Sequence, residues 1–328
     1  MNGSRCSPAW IRIQSQPTTP FPTPLTPPPP PNQKLSRAIL LTSGHGGTAS
    51  VEMVRDTDSG SVYARKIFRN IYTRNVKAAE KKLLEEVQIM RRLADHHHIV
   101  RLHATYVVKR ELAIILEPVA NQGDLATFLQ DCRDQEIWKD PRCPRVRLLN
   151  KAFGCLALGL AFMHEQTIRH KDIKPQNILI HNGAVLYTDF GLSYDFGDAG
   201  QSTTTGLVQG LTRRYCAPVV ADHGRRNTTS DIFSLGCVYI EICSALHPDQ
   251  VAEELLDGPF FEKLRTLPDQ GLPLPGESFA MNITRAMVQH ARPAALSIAN
   301  DLMVFNTFHF CEQCQAHRND LNAREAVG

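Results

Sequence analysis

The chain has 328 residues, 42% of them hydrophobic and 21% charged, with a formal net charge of +3. That length and apolar fraction suffice for two cored lobes with tails. So small a net charge implies no particular partner, and no basic stripe with interleaved aromatics marks a nucleic-acid surface.

The nine cysteines are irregularly spaced, which suits reduced thiols better than a disulfide framework. The N-terminus has no basic flank followed by a continuous apolar core, so an intracellular protein, cytoplasmic or nuclear, is expected. No membrane partner is expected either. The longest apolar run, Ile232 to Leu246, is interrupted by Ser234, Gly236, Glu241 and Ser244 and is too short to span a bilayer.

Residues 1–34 form a tail rich in Pro, Thr and Ser that cannot bury enough apolar surface to fold alone. It is a passive spacer or a ligand for a proline-rich-motif-binding domain, and a spacer is the simpler reading. Thr19, Thr23 and Thr26, each followed by Pro, are candidate phosphorylation sites. From about residue 37 to 115 the pattern predicts strands around one helix. Gly44, Gly46 and Gly47 lead through Ala49 to Val51 in a turn whose residues without Cβ let backbone amides approach phosphate oxygens. Val62 to Phe68 alternates as a half-buried strand, in which Arg65 and Lys66 face opposite ways. Ala78 to Leu93 is an amphipathic helix with Leu84, Val87, Met90 and Leu93 at helical spacing. Its Glu85 and Glu86 point about 100° apart, so only one can face a given strand lysine. Glu111 to Val119 reads as a further strand, and Leu148 to His164 as an apolar-periodic helix.

The most informative segment is Ile168 to Asn177, followed twelve residues later by Asp189-Phe190-Gly191. Asp172 and Asn177 stand in a D-x-x-x-x-N spacing, and both this motif and Asp189 border apolar strand-like runs, 178–180 and 184–187. Transfer of a phosphoryl group needs a carboxylate near the acceptor hydroxyl and oxygen ligands for magnesium. These residues supply both. The chain therefore resembles a eukaryotic protein kinase of the serine/threonine type, over roughly residues 37 to 300.

The resemblance implies an α+β, bilobal protein-kinase-like fold, with a small β-rich N-lobe holding one main helix and a larger, mainly helical C-lobe. The kinase domain is expected over 35–305, divided into an N-lobe at 35–116, a hinge at 117–124 and a C-lobe at 125–305, with a C-terminal tail at 306–328. Asp172 would orient the acceptor hydroxyl, Lys174 would steady the γ-phosphate of ATP, and Asn177 and Asp189 would hold Mg2+. Gly44, Gly46, Gly47 and Val51 would cover the nucleotide, Ala64 would lie against the adenine, and Lys66, paired with Glu86 rather than Glu85, would contact the α- and β-phosphates. Leu116 would back the adenine pocket, Glu117 and Val119 would meet the adenine edge through backbone groups, and Leu179 joins the nucleotide contacts. Thr212 through Pro218 matches the T-x-x-Y-x-A-P pattern that positions serine or threonine substrates.

Three departures stand beside these matches. Ala49 replaces the third loop glycine, Lys171 replaces the usual arginine before Asp172, and Val219 replaces the glutamate of A-P-E. Lys171 offers only a point charge to a phosphate on Ser202, Thr203, Thr204 or Thr205, where arginine offers a bidentate fork. Arg292 is the expected orphan of the missing glutamate. These changes motivate a rival reading, a pseudokinase serving as a nucleotide-binding or scaffold module. Asp231 matches the aspartate that braces the catalytic-loop backbone. Near the C-terminus, Cys311 and Cys314 form a C-x-x-C flanked by His309 and His317, but no second half-site lies at family spacing, so they read as ordinary thiols.

Overall fold

A computed structural model describes residues 35–36, 49–56, 58–68, 76–108, 111–197, 212–222, 227–266, 279–289, 291–305 and 307–316. The chain divides into two compact units. Met1–Val87 with Arg101–Val119 make the first, and Gln88–Val100 with Ala120–Gly328 make the second. The first unit runs past the expected N-lobe limit at 116 and ends at Val119, inside the expected 117–124 hinge, and the end of the long N-terminal helix with the loop after it belongs to the second unit.

The first unit is built on an antiparallel sheet of β1 (Leu35–Ser36), β2 (Ala49–Asp56), β3 (Val62–Phe68), β4 (Arg101–Val108) and β5 (Glu111–Glu117), in the order β1-β2-β3-β5-β4. Helix α1 (Val76–Arg92) lies between β3 and β4 in sequence. Val54, Tyr63, Ala113 and Ile115 form a buried apolar cluster with Ile67 and Ala104 packed on it. Alternate residues of a strand face opposite sides of its sheet, and the register pairs Val51 with Lys66, Lys66 with Ile114, and Ala64 with Leu116. Val51, Ala64, Lys66 and Leu116 therefore share one face.

The second unit is mainly helical, with α2 (Leu125–Asp134), α3 (Pro144–Glu165), α4 (Pro218–Ala221), α5 (Thr228–Leu246), α6 (Glu253–Leu256), α7 (Phe260–Thr266), α8 (Phe279–Val288) and α9 (Ala295–Phe305). Short strands β6 (Ile168–Arg169) and β9 (Tyr194–Asp195) pair with each other, as do β7 (Ile178–His181) and β8 (Ala184–Tyr187). The β7–β8 hairpin turns on Asn182-Gly183, both with positive φ (49° and 74°). Asn-Gly is favoured where a two-residue turn needs two left-handed residues in succession. Asp124 and Asn227 cap α2 and α5, accepting from the backbone N–H of Thr127 and Thr229 at 3.0 Å. Helices α3 and α5 are long and apolar enough to cross a membrane by composition, yet most of their residues are buried within the protein.

Residues 307–316, assigned by sequence to a tail, are packed. Phe310 is fully buried. A Cβ added to Gly154 of α3 would lie 2.4 Å from the Phe310 ring and 2.5 Å from the His309 carbonyl oxygen, so the absence of a side chain is what lets this segment approach the helix.

Candidate active site

In the first unit, Lys66 Nζ donates to Glu86 Oε1 at 2.8 Å, and both side chains are buried. Glu85 instead lies 3.8 Å from Lys81 on the exposed side of α1. The ion pair thus selects Glu86, the partner that the resemblance implies, and Glu85, about 100° away on the helix, faces elsewhere. Arg65 takes the opposite sheet face from Lys66, though it is not a simply solvated charge: it pairs with its cross-strand neighbour Glu52 at 2.5 Å. Glu117 closes β5 and lies 3.6 Å from Arg101; Val119 follows it at the end of the first unit.

In the second unit, Lys174, Asn177 and Thr212 converge on one carboxylate, that of Asp172. Asp172 Oδ1 accepts from the Thr212 hydroxyl at 2.8 Å, and Oδ2 accepts from Lys174 Nζ at 2.7 Å and from Asn177 Nδ2 at 2.9 Å. Lys174 Nζ also donates to Thr212 Oγ1 at 2.9 Å. Thr212 is 40 residues from Asp172 in sequence. Asn177 uses its second amide hydrogen on the Asp172 carbonyl at 2.8 Å. With both hydrogens spent, its remaining amide atom is an oxygen, the ligand type magnesium takes.

The backbone then links Asn177 to Asp189. Thr188 N–H donates to the Asn177 carbonyl at 3.0 Å, and Thr188 O accepts from His170 Nε2 at 3.0 Å. Phe190 is buried with its ring 5.1 Å from that of His170. Lys171 and Asp189 both have left-handed backbone, with φ of 68° and 63°. Each such residue costs about 1–3 kcal/mol and persists only where its surroundings hold it, as at functional sites. Leu179 sits half-buried in β7 and bridges to Asp124.

Asp231 on α5 supplies much of that support. Its Oδ2 accepts from His170 N–H at 2.9 Å and lies 3.1 Å from His164 Nε2, while Oδ1 accepts from Lys171 N–H at 2.9 Å. Burial alone would raise its pKa, but the hydrogen bond and charge of His164 and the backbone donors outweigh burial and hold it below the usual carboxylate value. Sequence reading found Asp231; it did not find His164, whose role depends on α3 and α5 packing together.

The segment carrying Thr212 is anchored from the same helix. Glu241 of α5 accepts from the Tyr215 hydroxyl at 2.9 Å and from Arg214 Nη2 at 3.1 Å, and Ser234 donates to Tyr215 O at 2.8 Å. In the sequence Glu241 stood out only as a charge within an apolar run, which was the available signal. A cleft beside Asp172 is lined by Lys171, Thr212, Tyr215, Cys216 and Ala217 among others.

Arg292 has no carboxylate partner among the described residues. Its Nη1 reaches the Thr229 carbonyl at 3.4 Å, its guanidinium lies 5.0 Å from the Phe233 ring centre, and Nε is buried without a hydrogen bond. Burial lowers its pKa. A base whose folded pKa is lowered is penalised for its charge at every pH below that value, so the cost is present at neutrality. We expect Val219→Glu to raise the melting temperature by about 2–5 °C, roughly 1–2 kcal/mol, by giving this cation an anion. An unchanged melting temperature would show that the carbonyl and ring contacts already compensate Arg292.

Several expected features lie outside the described residues: Gly44, Gly46 and Gly47, the Pro-rich tail, Ser202 through Thr205, and His317.

Residues 39–258 match the protein kinase domain family. The chain is 31% identical to the serine/threonine-protein kinase RUNKEL of Arabidopsis thaliana over 243 residues, 73% of this chain and 16% of that protein. It is 31% identical to the cyclin-dependent kinase 4 homolog of Caenorhabditis elegans over 301 residues, 88% of this chain and 69% of that protein. It is 30% identical to the serine/threonine-protein kinase Nek11 of Macaca fascicularis over 223 residues, 66% of this chain and 33% of that protein.

Proposed function

The chain belongs to the protein kinase family, and from that premise we propose that it transfers the γ-phosphate of ATP to serine or threonine hydroxyls of proteins, with Mg2+. The observation that supports this best is the Asp172 carboxylate held by Thr212, Lys174 and Asn177 at 2.7–2.9 Å. A carboxylate so fixed accepts the proton of an incoming hydroxyl and aims its oxygen. Lys174, beside both Asp172 and Thr212, places a positive charge where a transferring phosphoryl group would build negative charge. Asn177 and Asp189 are the oxygen donors proposed for magnesium, which when bound neutralises phosphate charge. Lys66, fixed by the buried Glu86, is proposed to hold the α- and β-phosphates; Ala64, Val51 and Leu116 share its sheet face and suit an adenine.

The loop glycines, the backbone of Glu117 and Val119, and Leu179 complete the proposed nucleotide contacts. Protein substrates follow from the Thr212-to-Pro218 pattern. An intracellular location, cytoplasmic or nuclear, is proposed on the cysteine usage: none of the eight cysteines in the described residues is in a disulfide.

The testing experiment incubates the chain with Mg-ATP and a generic basic protein. Phosphoserine or phosphothreonine should form. Lys66→Met should reduce the rate by about 10²-fold or more, as expected for removing a phosphate-stabilising charge. Nucleotide binding without any transfer by the wild type would favour the scaffold reading instead.

A further inference from the structure

The second unit brings His97 and His98, from the loop after α1, to Cys311 and Cys314 of the docked C-terminal segment. All four donor atoms lie within 4.8 Å of one another. Cys311 Sγ is 3.4 Å from His97 Nε2 and 3.5 Å from His98 Nε2, and Cys314 Sγ is 3.3 Å and 3.2 Å from the same atoms. Four sulfur–nitrogen separations of this size are the edges of a compact tetrahedron. With Zn–S near 2.3 Å and Zn–N near 2.0–2.1 Å, tetrahedral angles give S···N edges of roughly 3.5–3.6 Å.

The orientation of His98 is a second, independent observation. Its Nδ1 is 2.7 Å from the Val185 carbonyl oxygen, so Nδ1 carries the hydrogen and, in the neutral ring, Nε2 presents a lone pair to the cluster. A metal-bound histidine commonly has its outer nitrogen held in this way. Thiol hydrogen bonding accounts for the cluster less well. Two thiols and a His97 Nε2–H supply at most three protons, and neutral His98 has none on Nε2, yet there are four close S···N contacts. Cys155 stands just outside, accepting from Cys311 N–H at 3.2 Å and lying 4.0 Å from Cys314 Sγ.

We propose that His97, His98, Cys311 and Cys314 form a structural zinc site that fastens the C-terminal segment to the loop between α1 and β4. Two thiolates and two neutral imidazoles balance the charge of Zn2+, which suits a site where His98 and Cys314 are buried. Four protein donors close the coordination sphere, so the role is structural rather than catalytic. Binding releases the two thiol protons. The site is tied to β8, because Tyr187 N–H donates to His98 O at 2.8 Å and Val100 N–H to Tyr187 O at 3.0 Å. That strand leads to Asp189.

Metal analysis of the full chain, purified without added metal and dialysed against a weak chelator, is expected to find about one zinc per chain. The content should fall about tenfold or more in Cys311→Ser and Cys314→Ser and stay unchanged in Cys143→Ser, a cysteine outside the cluster. Should the serine variants fail to fold, the wild type alone decides: cobalt(II) exchanged into it should give tetrahedral ligand-field bands with thiolate-to-cobalt charge transfer. A wild-type chain that holds no zinc and shows no thiolate–cobalt absorption would overturn the proposal. So would a Cys311–Cys314 disulfide in chain purified without oxidant.

Discussion

Asp172→Ala is expected to lower the rate of phosphoryl transfer by about 10²–10⁴-fold, the range for removing a positioned acid–base group, with little change in apparent affinity for ATP. This is about 3–5 kcal/mol of transition-state stabilisation. The substitution removes the atoms on which Thr212, Lys174 and Asn177 converge, so part of the loss would come from misplacement of Lys174. Asp172→Asn separates the two effects. It keeps the shape and most hydrogen bonds but cannot take the proton, and it should be nearly as slow as alanine while melting close to the wild type. Full activity in Asp172→Asn would remove this carboxylate from the chemistry.

Asp231→Asn should cost about 3 kcal/mol of stability at neutral pH and lower activity at the same time. The carboxylate accepts from two backbone N–H groups and faces His164, whereas an amide must turn its NH2 toward at least one of those donors. A buried donor then loses its acceptor, and His170 or Lys171 must shift. Asp172 follows directly, and displacement of a catalytic group by about 1 Å can cost on the order of 10²-fold in rate.

The pH dependence has a defined sign. Because the folded Asp231 has a lowered pKa, its contribution is complete above the unfolded carboxylate pKa and is lost as pH falls through the folded value. Wild-type stability should therefore decline in acid, and Asp231→Asn should show a lower plateau with a shallower acid limb. Chemical denaturation across pH measures both. Equal acid limbs in the two proteins would remove Asp231 from the acid transition.

The family, the order of the elements and the candidate residues that lie close together along the chain were legible in the amino-acid sequence. Asp172 and Asn177 are five positions apart; strand alternation and helical geometry limited the site to one residue of each pair, Arg65 or Lys66 and Glu85 or Glu86, and the kinase resemblance chose Lys66 and Glu86. Local backbone periodicity sets the two pairs. Contacts between distant segments became visible only once the chain was folded: Thr212 on Asp172, His164 on Asp231, Glu241 on Tyr215 and Arg214, and the carbonyl and ring that Arg292 finds in place of a glutamate. The C-terminal cysteines show the difference most plainly. Their C-x-x-C was legible, but its complement, His97 and His98, lies more than 200 residues earlier. Metal-ligand spacing can be read from a sequence only when both half-sites belong to one local motif; here packing of the C-terminal segment against α3, made possible by Gly154, brings them together.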